Sequence, residues 1–293
     1  MILNASGCLD ALVAPEVARE LDVFVTKTVT PLPRDGNDPV RIAETDVGML
    51  NSIGLANPGV ERFIARILPR LAELELPIWV SVGGFSAEDY AAVCGVLDGC
   101  EEVAALELNV SCPNVVEPVG SVAELVTAAR GATSKKLYTK LSPATADVAA
   151  VAEAAAAAGT DGLSLVNTIR GLALDGRSLT PVLSTATGGL SGPALRPIAL
   201  AAVFSCFRAT GLPIVGMGGV ESGRHALELI AAGARHVALG TVLFADPDAP
   251  ARVRAELHAA ASERGWRTYE DAYAVAHEEA LSVGTTLDDR SSL

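Results

Sequence analysis

The segment Leu108-Asn109-Val110-Ser111-Cys112-Pro113-Asn114 sets one thiol between two carboxamides. A cysteine on its own is more often a small buried hydrophobe, and Cys8, Cys94, Cys100 and Cys206 are read that way. Cys112 differs because its neighbours are polar. A thiolate there can serve as a nucleophile or as a general base, and the residues alone leave both open. The four histidines, His225, His236, His258 and His277, lie far along the chain, which disfavours a Cys–His hydrolase. Lysine is the second signal, because the chain holds only four: Lys27, Lys135, Lys136 and Lys140. Lys27 and Lys140 each end a run with strand character. A lysine in that place can snorkel to solvent or pair with an inward carboxylate such as Glu107. Two of them around one opening favour a bound anion or an electron-rich ring. Glycine is the third signal. Gly216-Met217-Gly218-Gly219 and Gly240-Thr241 both follow apolar runs and precede helical patterns. Backbone amides at such junctions can hold a phosphate, while the plainer reading is a tight turn that needs positive φ.

The elements that must carry these residues alternate along the chain. Eight short runs rich in apolar and β-branched residues read as strands: Ile2–Asn4, Val23–Lys27, Ile78–Val82, Ala105–Asn109, Leu137–Leu141, Gly162–Val166, Pro213–Gly216 and His236–Gly240. Between them lie helical patterns at Pro58–Leu74, Ala87–Leu97, Val122–Ala132, Thr145–Ala158, Leu195–Thr210 and Ser222–Ala232. Strands alternating with helices imply a parallel sheet, and eight of them predict an α/β (β/α)₈ TIM barrel, a single domain over residues 1–293. A doubly wound sheet is the weaker reading, because no G-x-G-x-x-G follows the first strand. The polar, Gly-rich stretches Thr28–Leu55 and Thr168–Gly192 read as long functional loops. In a TIM barrel the site lies at the C-terminal ends of the strands, where Cys112, both lysines and both glycine turns fall.

Composition narrows the function. A net charge of −13 argues against a nucleic-acid partner, since phosphate backbones want a basic face. Half of the residues are hydrophobic, yet no unbroken apolar stretch is long enough to span a membrane. The five cysteines include no C-x-x-C pair, so a disulfide framework, zinc site or iron–sulfur site within this chain is not expected. Reduced thiols and the lack of a signal-peptide pattern point to the cytoplasm.

Taken in order, the motifs resemble those of the class 1 dihydroorotate dehydrogenases over nearly the whole chain. They are Ala5-Ser6-Gly7, Thr26-Lys27-Thr28-Val29-Thr30, Arg34-Asp35-Gly36-Asn37, Met49-Leu50-Asn51-Ser52-Ile53-Gly54-Leu55, Asn57-Pro58-Gly59, the Cys112 segment, Lys140-Leu141-Ser142-Pro143, Val166-Asn167-Thr168, Gly189-Leu190-Ser191-Gly192-Pro193 and the two glycine turns. The resemblance implies an FMN-dependent oxidation of dihydroorotate to orotate in pyrimidine biosynthesis. Cys112 would be the catalytic base taking the C5 proton, and the flavin would accept the C6 hydride. The cofactor would be held by Ser6, Lys27, Thr28, Asn109, Lys140, Val166, Gly192, Gly218, Gly219, Gly240 and Thr241. The substrate would be held by Lys27, Asn51, Ser52, Ile53, Gly54, Leu55, Asn109, Asn114, Asn167 and Thr168. No metal is expected in this chain. Asn167-Thr168-Ile169-Arg170-Gly171-Leu172 is similar to the NAD-linked class 1B, which implies a separate electron-transfer subunit carrying FAD and an iron–sulfur cluster; class 1 relatives also imply a homodimer. Ser81 stands where the family often has an asparagine. Two neighbouring readings stay open: the same barrel acting on another dihydropyrimidine, and a flavin-binding paralogue without turnover.

Overall fold

A computed structural model of the chain describes residues 1–110 and 119–278. Its strands, in chain order, are β1 (Ile2–Asn4), β2 (Phe24–Val25), β3 (Ile42–Thr45), β4 (Gly48–Asn51), β5 (Ile78–Val82), β6 (Val103–Asn109), β7 (Lys136–Leu141), β8 (Gly162–Leu165), β9 (Ile169–Leu172), β10 (Thr187–Ser191), β11 (Ile214–Met217) and β12 (His236–Leu239). Eight of them form one parallel sheet in the order β1-β12-β11-β8-β7-β6-β5-β2. A parallel bridge from Leu3 to Val23 joins its two edges and closes the barrel. Every residue of β1, β5, β8 and β11 is buried. Parallel strands covered on both faces read as unbroken apolar runs, which is why each of the eight predicted runs overlaps a barrel strand.

Apolar side chains fill both sides of the barrel wall. Leu3, Val23, Val25, Trp79, Ala105, Tyr138, Val215, Met217 and Ala238 pack together inside it. The larger cluster lies between the wall and the surrounding helices, and takes the alternate residues, such as Leu106, Leu108, Leu137, Leu163 and Leu165. Inside, the Trp79 and Tyr138 rings lie 4.4 Å apart. That packing needs Gly162, because a Cβ there would collide with the Tyr138 ring and the Pro213 carbonyl. Gly162→Ala is therefore expected to lower stability by about 1–3 kcal/mol through overpacking. Urea denaturation with an unchanged slope would report it, and an unaltered midpoint would refute it.

The helices start where polar side chains satisfy their first amides. Ser86 Oγ accepts from Asp89 N ahead of Ala87–Asp98, Asp147 Oδ1 from Ala149 N and Ala150 N ahead of Val148–Ala157, and Ser222 Oγ from His225 N ahead of Gly223–Ala231. Arg196–Thr210 ends at Gly211 in the left-handed conformation.

The two stretches expected to be loops are not structureless. They supply β3, β4, β9 and β10, which form a separate antiparallel sheet in the order β3-β4-β10-β9. Its small apolar face buries Ala43, Leu50 and Leu183, while β9 alternates between half-buried and exposed residues. The partners are far apart in sequence, Asn51 standing opposite Gly189, so neither stretch shows its pairing locally.

Candidate active site

Alternation along β6, β7 and β8 sends leucines outward and polar groups inward. Leu106 and Leu108 enter the outer layer, so Ala105, Glu107 and Asn109 face the barrel interior. The register sets Ser81 beside Glu107, Asn109 beside Lys140, and Lys140 beside Ser164. The lower interior is thus Trp79, Tyr138 and aliphatic side chains, and the C-terminal end is polar. Glu107 is 1% exposed and Lys140 6%, and Ser81 and Ser164 are fully buried.

Side-chain hydrogen bonds link four strand ends across this chamber. Asn167 Nδ2 donates to Asn109 Oδ1 at 3.1 Å, Asn109 Nδ2 donates to Thr28 Oγ1 at 3.2 Å, and Thr28 Oγ1 meets Ser81 Oγ at 3.0 Å. Tyr90 fixes the end of β6 by donating to the Asn109 carbonyl at 2.6 Å. Ser81, where the family often carries an asparagine, is thereby turned onto Thr28. The two amide side chains are held in one orientation before any ligand arrives.

The charges converge at the same level. Lys140 Nζ stands 3.5 Å from Glu107 Oε1. Lys27 lies along Gly7, where a Cβ would come within 2.9 Å of its Cδ and 3.1 Å of its Nζ. Burial pushes Lys27 below the ordinary lysine range, with Lys140 adding to the shift and Cys8 opposing it. The Cys8 thiol is pushed up by burial against the pull of Lys140 and Lys27. Cys8 also lies beside Gly240, 3.8 Å from where a Cβ on that glycine would sit. Cys8, read from the sequence as a small hydrophobe, does pack against the outer apolar layer, and it also borders the chamber. The partner weighed for a strand-end lysine is present, but the Lys140–Glu107 pair lies within the chamber and does not draw Lys140 away from it.

On the side of β11 and β12, Gly192, Gly218 and Gly219 have φ of 101°, 123° and 69°. A Cβ on Gly219 would stand 2.9 Å from the Gly192 carbonyl and 3.0 Å from Arg196 N, so this turn accepts no side chain. Thr241 Oγ1 donates to Ser191 Oγ at 2.8 Å, tying the last strand to β10. Ser6 Oγ donates to the Thr26 carbonyl at 2.8 Å. Val166 differs from the rest: its side chain is 3% exposed and packs in the outer apolar layer, so only its backbone is available to a ligand.

The segment from Asn51 to Leu55 begins at the last residue of β4 and is anchored through side chains and backbone alike. Asn51 Nδ2 donates to Gly189 O at 3.3 Å, and Ser52 Oγ accepts from Asn37 Nδ2 at 2.7 Å and from Thr185 Oγ1 at 2.6 Å. The carbonyls of Ile53, Gly54 and Leu55 accept from Asn37 N, Arg34 Nε and Asn57 Nδ2. Thr168 leads from Asn167 into β9 and its amide donates to Asn167 Oδ1 at 2.9 Å. Cys112 and Asn114 lie outside the described residues.

A closed eight-stranded barrel with amides, lysines and glycine turns gathered at its strand C-terminal ends defines a (β/α)₈-barrel enzyme. Comparison with known proteins gives the family. The dihydroorotate dehydrogenase family model matches residues 1–260. The catalytic subunit of dihydroorotate dehydrogenase B (NAD(+)) from Desulforudis audaxviator is 44% identical over 289 residues, covering 94% of this chain and 93% of that protein. The protein of the same name from Pelobacter propionicus is 46% identical over 237 residues, 78% of each chain. Among solved structures, the Eimeria tenella dihydroorotate dehydrogenase in complex with ferulenol superposes with a TM-score of 0.79 at 22% identity, covering 94% of this chain and 85% of that one, a likeness in fold. The chain belongs to the dihydroorotate dehydrogenase family, oxidoreductases acting on a CH–CH bond, and is similar to the NAD-linked class 1B catalytic subunits. Among the described residues no helix is long and apolar enough to cross a membrane.

Proposed function

We propose that this chain oxidises dihydroorotate to orotate with FMN bound in the barrel mouth. The observation that carries the reading is the meeting of Asn109 and Asn167 with Lys27, Lys140 and their hydrogen-bonded hydroxyls at one opening. The chamber suits a planar, electron-rich, phosphate-bearing cofactor. It offers the backbone of Gly192, Gly218, Gly219, Gly240 and Thr241 to a phosphate, and the hydroxyls of Ser6 and Thr28. Ser164 Oγ, buried beside Lys140, has no hydrogen-bond partner among the described residues, and a buried polar atom of that kind calls for a ligand or a water.

FMN, when bound, supplies the hydride acceptor for C6 of the substrate. The chain supplies the rest. Cys112 takes the C5 proton. The carboxamides of Asn109, Asn114 and Asn167, with Thr168, offer donors and acceptors to the imide edge of the ring. Lys27 pairs with the substrate carboxylate, and its half-buried position strengthens that pairing. Asn51 to Leu55 close on the substrate from the second sheet. Lys140 places positive charge beside the cofactor ring. The relatives are called catalytic subunits, which supports a separate electron-transfer subunit, carrying FAD and an iron–sulfur cluster, as the route by which electrons leave.

The test is an anaerobic visible spectrum of the FMN-reconstituted chain before and after dihydroorotate. Bleaching of the flavin band is expected. A bound flavin that stays oxidised rejects the substrate, and a chain that takes up no flavin rejects the site.

A further inference from the structure

The chamber holds one carboxylate that the proposed reaction does not use. Glu107 is 1% exposed, faces inward from β6 and stands opposite Ser81 on one side and Tyr138 on the other. Its Oε1 has no hydrogen-bond partner, although Lys140 Nζ is only 3.5 Å away. An ion pair that deep gains little net stability, because desolvating two charges offsets most of their attraction. Two apolar residues would fill the same space at less cost. Among the described residues, the titratable groups gathered here are Lys27 after β2, Cys8 after β1, Tyr138 and Lys140 on β7, and Glu107 itself. Burial pushes the Cys8 thiol and the Tyr138 hydroxyl up, which favours their neutral forms. The inward side chains of β5, β8, β11 and β12 at this level, Ser81, Ser164, Met217 and Ala238, carry no charge. Among the described residues the formal charges are therefore two ammonium groups and one carboxylate.

Resting on the FMN reading above, we propose that Glu107 is the counter-ion that sets the charge of the flavin chamber, holding Lys140 from below and lowering the chamber's preference for reduced over oxidised FMN. Reduced FMN carries additional negative charge. Each positive charge that faces it uncompensated stabilises the reduced form, and in a desolvated chamber that effect is strong. Glu107 limits it. A cofactor that must pass electrons onward is served by a potential that is not raised too far. Glu107 acts on the flavin through the charge field and through Lys140, so it is a positioning residue and not a catalytic one.

The experiment uses the full chain reconstituted with FMN and measures the two-electron potential by dye equilibration, with FMN affinity measured separately by fluorescence. Glu107→Gln keeps the shape and removes the charge. It is expected to raise the preference for reduced over oxidised FMN by at least about tenfold, ~30 mV for a two-electron couple. Glu107→Asp keeps the charge and should return the potential close to the starting value. Lys140→Met leaves Glu107 uncompensated and should move the potential the other way. The double variant Lys140→Met/Glu107→Gln should then lie above Lys140→Met, a comparison that holds even where Glu107→Gln alone does not fold. A potential unmoved by Glu107→Gln, or moved as far by Glu107→Asp, overturns the inference, as does a double variant no higher than Lys140→Met. A wild-type chain that binds no FMN rejects the reading of the site instead, so the two failures are distinguishable.

Discussion

Cys112→Ala lowers the rate of flavin reduction by dihydroorotate by about 10²–10⁴-fold near neutral pH, the range that a positioned general base contributes, and leaves FMN bound. The expectation follows from where β6 ends. Asn109 is the last residue of that strand, points into the chamber, and is held on both sides by Thr28 and Asn167. Cys112 follows it by three residues in the sequence. Removing the thiol leaves the hydride acceptor and the anchoring groups in place but takes away the proton acceptor. The loss should fall on the reduction step in stopped-flow measurements and barely touch substrate affinity. Cys112→Ser provides an oxygen base with a far less acidic proton, so its rate should recover only as pH rises. A Cys112→Ala variant that reduces its flavin at the normal rate would show that the proton goes elsewhere.

Much of this architecture was legible because barrel strands are buried on both faces and so advertise themselves as apolar runs. Even there the ends blur: the run Val23–Lys27 keeps strand geometry only at Phe24–Val25, since Thr26, Lys27 and Thr28 turn to serve the mouth. The second sheet was not legible. Its strands read IAET, GMLN, IRGL and TGGLS, too short and too rich in glycine and polar residues to show an alternating face. Their pairing is long-range, with Leu190 set against Leu50. The site was legible as a set of residue types at strand ends, but not as a set of contacts. Which side chain meets which depends on register between neighbouring strands, and no local pattern encodes that Asn109 stands beside Lys140. That is why Glu107 entered the sequence reading only as a partner that would explain a lysine away. Cys8 gave no signal at all, because nothing near it in sequence reveals that β12 brings Gly240 alongside.

Lys140→Met destabilises the flavin-free chain by about 3–5 kcal/mol, the usual consequence of leaving one partner of a buried ion pair uncompensated. Methionine nearly matches the lysine stem in volume, so the loss reports the charge and not a cavity. The Glu107 side chain is 2% exposed and that of Lys140 7%, so water cannot take the place of the missing ammonium. Urea denaturation of the apo chain measures the effect free of any cofactor. Adding Glu107→Gln to Lys140→Met should recover most of the loss, because the buried charge is then gone and only a neutral amide remains. The same pair of variants separates fold from function. Stability returns in the double variant, whereas FMN, still bound at saturating concentration, is held more weakly than in the parent, because the positive charge beside the cofactor ring is still missing. A single Lys140→Met variant as stable as the parent would show that Glu107 does not depend on Lys140 for its counter-charge.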